Sequence, residues 1–138
     1  MSPPSPSQQA VVYVFDASSL INLEKPNRLS ILHDLRTRVV IPQRVAREVN
    51  KPRTDLAGWL NQHPECVTAF FTEEHELYYQ FITQIKPRIH DGEAAAMAVA
   101  LNRGATLVID ENTARGKAES HGIRCLNAAE LLQQPLMM

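Results

Sequence analysis

An unbroken run of β-branched and aromatic residues, Val11 to Phe15 (VVYVF), stops abruptly on an acid, Asp16. A strand without polar alternation has no face for water, so it belongs inside a sheet covered on both sides. Short runs of related character recur at Val39 to Ile41, Val67 to Phe71, Thr106 to Ile109 and Ile123 to Leu126. Segments with helical spacing fill the gaps between them. This alternation predicts an α/β fold with a central parallel sheet of four to five strands flanked by helices. In open sheets of that type, ligands bind beyond the carboxyl ends of the strands.

The intervening segments have clear punctuation. Ser18 to Leu23 is helical, with Pro26 expected to break it, and Leu29, Leu32 and Leu35 begin another apolar stripe. Pro42 reads as the first residue of a helix that carries Val45 and Val49, and Lys51-Pro52 ends it. Asp55 to Gln62 is amphipathic on Leu56, Trp59 and Leu60. Glu73 to Lys86 follows with Leu77, Phe81, Ile82 and Ile85, and Pro87 terminates it. The Ala-rich segment from His90 closes on Gly104, which suits a glycine C-cap. Thr113 to His121, closed by Gly122, and Ala128 to Gln134 complete the helices.

The 138 residues include 14 Lys+Arg against 15 Asp+Glu, a net charge of -1, which excludes binding to a polyanion by bulk charge alone. Length favours one domain, expected over residues 10–134, between a Pro/Ser-rich disordered leader at 1–9 and a short tail at 135–138. The leader has neither a basic n-region nor an apolar h-region, and the longest apolar run falls well short of the roughly 20 residues of a membrane span. A cytoplasmic protein without membrane attachment is expected. Cys66 and Cys125 form no C-x-x-C motif and read as two buried thiols; His63 and Cys66 lack a second ligand pair for zinc.

The acids carry the chemistry. Asp16 stands at the end of the first strand, and Asp110 and Glu111 at the end of the Thr106 strand, so they should meet at one rim. Asp91 and Glu93 occupy the first turn of the Ala-rich helix. In a right-handed layout that helix starts at the opposite rim unless the preceding segment runs back along the sheet, a choice the residues leave open. Glu48 lies on the Val45/Val49 helix and points along the sheet edge. Singly, each acid has an ordinary reading as a helix cap, a dipole partner or a solvated side chain. Jointly, carboxylates on one rim raise each other's pKa unless a cation sits among them. Oxygen-only ligands suit Mg²⁺ or Mn²⁺, ions that commonly activate water against a phosphodiester.

Four ordered stretches resemble the motifs of PIN-domain nucleases: VVYVFDASSLINL, IPQRVAREV, DGEAAAMAVALNRGATLVIDENTAR and the tail GKAESHGIRCLNAAELL. The third is especially similar to the subgroup in which a Gly-Glu pair opens an Ala-rich helix. The resemblance runs from Val11 to about Leu132. It implies a three-layer Rossmann-like PIN domain and metal-dependent cleavage of RNA, as in VapC-like toxins that an antitoxin protein holds silent. Asp16, Glu48 and Glu93 match the family's first three acids. For the fourth, the spacing from Glu93 points to Glu111 and the strand end to Asp110. Ser18 matches the small hydroxyl residue that supports the first acid. Two departures stand out. Glu93 replaces the commoner Asp, with Asp91 close enough to compete as a ligand, and Ile109 replaces a frequent Thr.

The expected activity is therefore Mg²⁺- or Mn²⁺-dependent endoribonuclease hydrolysis. Asp16, Glu93 and Asp110 or Glu111 would hold the ion, and Glu48 would hold it directly or through water. Arg115 is read either as an i,i+4 partner of Glu111 or as a contact to RNA phosphate. The rival is a PIN-like module that binds or regulates without cleaving. A phosphotransfer domain using Asp16 as nucleophile is weaker still, because Ser18 stands where a second Asp would be needed. The aromatics around Trp59 and on the helix with Tyr78, Tyr79 and Phe81 read as core packing, or else as a homodimer face or antitoxin groove.

Overall fold

Five short strands form one parallel sheet: β1 (Tyr13–Phe15), β2 (Val39–Pro42), β3 (Val67–Thr68), β4 (Thr106–Val108) and β5 (Cys125–Leu126). Their spatial order is β3-β2-β1-β4-β5. Tyr13 pairs with Val39 on one side and Thr106 on the other, so β1 is central. The computed structural model describes residues 11–25 and 28–134. The expected leader, the tail and Pro26 lie outside these residues.

β1 and β4 are buried along their whole length, as runs with no polar alternation require. The chain builds outward from β1 through β2 to β3, then returns to place β4 on the other side of β1. The topological switch point therefore lies between β1 and β4, where a crevice opens beyond the carboxyl ends.

Among the described residues eight α-helices flank the sheet: α1 (Ala17–Leu23), α2 (Ser30–Asp34), α3 (Gln43–Val49), α4 (Asp55–Gln62), α5 (Thr72–Gln84), α6 (Asp91–Arg103), α7 (Asn112–Ser120) and α8 (Ala128–Leu132). Pro42 is the last residue of β2 and precedes α3, one position earlier than its expected role inside the helix. β3 is shorter than expected, because Phe70 and Phe71 leave the sheet to contact side chains of α5 and α6.

The α6 helix is buried from Gly92 to Ala100 and packs against β1, β2, β4, α3 and α5. Only small side chains allow such close approach on every side, which is the purpose of its alanines. It ends at Gly104, whose φ of 63° is the left-handed conformation glycine adopts without strain.

The direction of α6, left open by the residues, is settled by α5. Glu74, near the start of α5, is fully buried and accepts from Arg103 Nε at 2.8 Å and Nη2 at 2.9 Å, and from Asn102 at 3.0 Å, at the far end of α6. α5 therefore begins where α6 ends and carries the chain back. Consequently α6 starts at the carboxyl rim, not the opposite one. Burial alone would raise the Glu74 carboxyl, but Arg103, the Phe71 amide and Asn102 outweigh it and hold it below its ordinary range.

Both cysteines are buried free thiols, and burial pushes Cys125 up to about 11. Trp59 and Phe81 belong to the core, Tyr78 is half-buried and Tyr79 is exposed. Among the described residues, no helix is long and apolar enough to cross a membrane.

Candidate active site

Asp16 sits where β1 gives way to α1, almost fully buried. Its amide donates to Val108 O at 3.0 Å, which locks the ends of β1 and β4 together. The buried Ser19 hydroxyl lies 2.8 Å from both the Asp16 and Val108 carbonyl oxygens and reinforces the same junction. The Ser18 hydroxyl accepts from the Asp110 amide at 3.0 Å and donates to Asp16 Oδ2 at 3.0 Å. Ser18 thus aims the Asp16 carboxylate and ties it to the end of β4. Asp16 also caps α1, so its ordinary and its functional readings coexist.

From α6, Glu93 is buried, and its Oε1 accepts from the His90 amide at 2.9 Å. From α3, Glu48 reaches over the start of α6, where the Gly92 backbone tempers the rise of its carboxyl. A side chain at position 92 would meet it, because a Cβ there would lie 2.3 Å from Glu48 Oε1. Glycine is required here for close approach, not for backbone freedom. A cavity of about 550 Å³ opens at this point, lined by Glu48, Arg88, Ile89, His90 and Asp91.

The two acids after β4 diverge, as successive residues of an extended segment must. Asp110 turns away: its Oδ1 accepts from the Ala128 amide at 2.7 Å and its Oδ2 from the Asn22 side chain. It holds α8 and α1 to the sheet. Glu111 caps α7 through the Thr113 amide at 3.0 Å and the Ala114 amide at 2.6 Å, while its charge acts on Asp16 and Glu93.

The electrostatics follow from this arrangement. Burial raises Asp16, with repulsion from Glu111 adding to it. Burial likewise raises Glu48 and Glu93, and each also feels Asp16. Glu111 is held low, chiefly by the Ala114 amide. Asp91 is exposed, accepts from Tyr78 Oη at 3.1 Å and lies 3.9 Å from Arg88 Nη2.

Among the described residues, no three Asp, Glu, His or Cys side chains stand close enough together to hold one ion. The donors still fit a hard divalent cation. They are all carboxylates, they repel one another, and Mg²⁺ is usually held by one or two carboxylates with retained waters rather than by a protein cage.

Arg115 does not pair with Glu111, whose carboxylate is turned to cap α7. The guanidinium instead bonds Glu130 of α8, lies 3.6 Å from Glu119 and donates to Cys125 O at 3.3 Å.

Two participants escaped sequence reasoning, as did the physical reason for a third, the glycine of the Gly-Glu pair. His90 lies close enough for its charge to lower Glu48, Glu93 and Glu111, although its position marked it only as a helix start. Asn22 was hidden inside the α1 pattern. The need for Gly92 depends on Glu48, far away in sequence.

A model of the PIN domain matches residues 12–135. Among solved structures, VapBC-1 from nontypeable Haemophilus influenzae aligns at 15% identity with a TM-score of 0.62, covering 86% of this chain and 98% of the other. A PilT N-terminus domain protein from the archaeon Sulfolobus solfataricus aligns at 17% identity and TM-score 0.56, covering 92% and 98%. FitAB bound to a DNA fragment aligns at 9% identity and TM-score 0.55, covering 92% and 100%. At these identities the likeness concerns the fold. No curated protein matches the sequence significantly.

Proposed function

Because the chain belongs to the PIN-domain family, whose members are in general nucleases that use divalent metal ions, we propose that it is a Mg²⁺- or Mn²⁺-dependent endoribonuclease. The observation that carries this reading is the convergence on one rim of Asp16, Glu48, Glu93 and Glu111, three of them held above the ordinary carboxylate range. Burial is the larger cause of this shift, and the repulsion among these acids adds to it. A cation would relieve it.

In this reading Asp16 and Glu93 hold the ion, Glu111 is the fourth acid, and Glu48 contributes directly or through water. Asp110 frames the site instead of ligating. When bound, the ion supplies a lowered pKa for the attacking water and neutralises charge on the scissile phosphate. The chain's own residues do the rest. Ser18 fixes the Asp16 carboxylate, the His90 amide fixes Glu93, and Gly92 makes room for Glu48. Asp91, exposed and shared between Tyr78 and Arg88, lines the same cavity as Glu48 and would stand at the edge of the ion site. Arg115 is a structural tie between α7 and α8, not a phosphate contact.

We extend the proposal to the toxin of a toxin-antitoxin pair, as the resemblance to VapC-like toxins and the fold-level likeness to VapBC-1 and FitAB suggest. The partner would be a small antitoxin protein. A homodimer belongs to the same extension.

The competing reading is a PIN-like module that does not cleave. What favours it is that both Glu111 oxygens already accept backbone amides. Titration with Mn²⁺ separates the two. A nuclease shows saturable binding that Asp16→Asn and Glu93→Gln each abolish, whereas an inactive module shows none.

A further inference from the structure

The outer side of α3, next to Glu48, carries Arg44 and Arg47. Both are exposed, and among the described residues neither forms an ion pair. Together with Phe70 and His75 they line a cavity of about 360 Å³. A second cavity, of about 460 Å³, shares Arg47 and continues along α3 to Asn50 and Asn61. The two make one groove.

Aromatic rings stand over this groove. Phe70 meets His75 edge-on at 5.1 Å and Tyr78 at 5.6 Å between ring centres. The Arg44 guanidinium lies 4.4 Å from the Tyr78 ring centre. Tyr78 then donates to Asp91, which lines the cavity at Glu48. Tyr78 thus links side chains of the groove to one of the acidic rim. Arg44 stacks on Tyr78 but, among the described residues, neither arginine has an acidic partner, and arginines beside stacking surfaces are the ordinary equipment for gripping an unpaired nucleic-acid strand. Duplex bases keep their faces stacked inside the helix, so the rings select single strands.

We propose that this groove binds single-stranded RNA, with Arg44 and Arg47 on backbone phosphates and bases stacked on Phe70 and His75, and delivers the strand to Glu48. The inference rests on the ribonuclease reading of the acidic rim. It also locates the grip on a polyanion that a net charge of -1 conceals.

The test is fluorescence anisotropy with a labelled single-stranded oligouridylate in EDTA, using the Asp16→Asn protein so that no cleavage intervenes. Adding Arg44→Ala with Arg47→Ala should weaken binding at least about tenfold and flatten the log-log salt slope by roughly 1.4, the share of two phosphates on a single strand. The paired Lys substitutions should restore the slope. His75→Ala should weaken binding severalfold with the slope unchanged. Unchanged affinity and slope in the folded double-Ala protein would overturn the proposal, as would intact RNA binding with loss of a co-purifying protein. Since the assay contains neither metal nor cleavage, an inactive acidic rim leaves its result intact, and a failed groove leaves metal-dependent cleavage to be judged separately.

Discussion

Glu48 fills the space that a side chain on residue 92 would need: a Cβ on Gly92 would stand 2.3 Å from Glu48 Oε1. The Gly92 backbone also lowers that carboxyl against the burial that raises it. The Gly-Glu pair at the start of α6 is therefore one device with two parts. Gly92 admits an acid from α3, and Glu93 supplies one from α6.

Gly92→Ala follows from this contact. Alanine is a better helix former by roughly 1 kcal/mol, and the obstructing atoms are the free end of a flexible side chain, so the fold should persist while Glu48 swings away. The expected result is a melting temperature within a few degrees of wild type, with cleavage lost as fully as in Glu48→Ala. Retained cleavage would show that Glu48 does not act from that position.

Asp16→Asn should stabilise the metal-free protein at neutral pH. Burial raises the folded-state pKa of Asp16 above its unfolded value, so its contribution to stability is fully present below the unfolded pKa and is lost as pH rises through the folded one. The variant should accordingly melt higher than wild type at pH 7, by about 4 °C for each ~1 kcal/mol, and lose that advantage on acidification below about pH 4. Mn²⁺ should raise the melting temperature of wild type but not of the variant. Thermal melts across pH, with and without Mn²⁺, check both.

Asp110 and Glu111 should separate structure from activity. Asp110→Ala removes the partner of the Ala128 amide and of Asn22, and a loss of about 1–3 kcal/mol is expected. Glu111→Gln keeps an oxygen for the α7 cap and should cost under about 1 kcal/mol, yet reduce Mn²⁺ affinity and cleavage. Urea denaturation paired with Mn²⁺ titration distinguishes this from the reverse assignment.

The adjacency of these two acids shows where sequence reasoning stops. Both lie at the strand end and both are acidic, so their roles depend on which way an extended segment presents alternate side chains. That is fixed by α1 and α8, not by local pattern. The same limit explains α6, whose starting rim was open until Glu74 and Arg103 showed α5 running back. What could be read early was what local rules control: α4 spans Asp55–Gln62 as its apolar spacing demands, α6 ends at Gly104, and β1 and β4 have the uniform apolarity of central strands. His90 was missed because its significance comes from acids on three other elements.

The Glu74–Arg103 pair offers a purely structural prediction. Removing Glu74 takes away a bidentate partner but leaves Arg103 partly exposed and still bonded to Thr68 and Ala69, at roughly 1–3 kcal/mol. Glu74→Ala should lose that much stability in chemical denaturation, because it unties the start of α5 from the end of α6. A loss below about 1 kcal/mol would mean that α5 is held by apolar packing alone.

The central claim is that the acidic rim cleaves RNA with a divalent ion. Its most direct measurement follows an end-labelled single-stranded RNA incubated with wild-type protein and with Asp16→Asn, each in Mn²⁺ and in excess EDTA. Discrete cleavage by wild type in Mn²⁺ alone, and none by the folded variant in either condition, is the predicted result. Equal cleavage in EDTA, or full activity in Asp16→Asn, would contradict it.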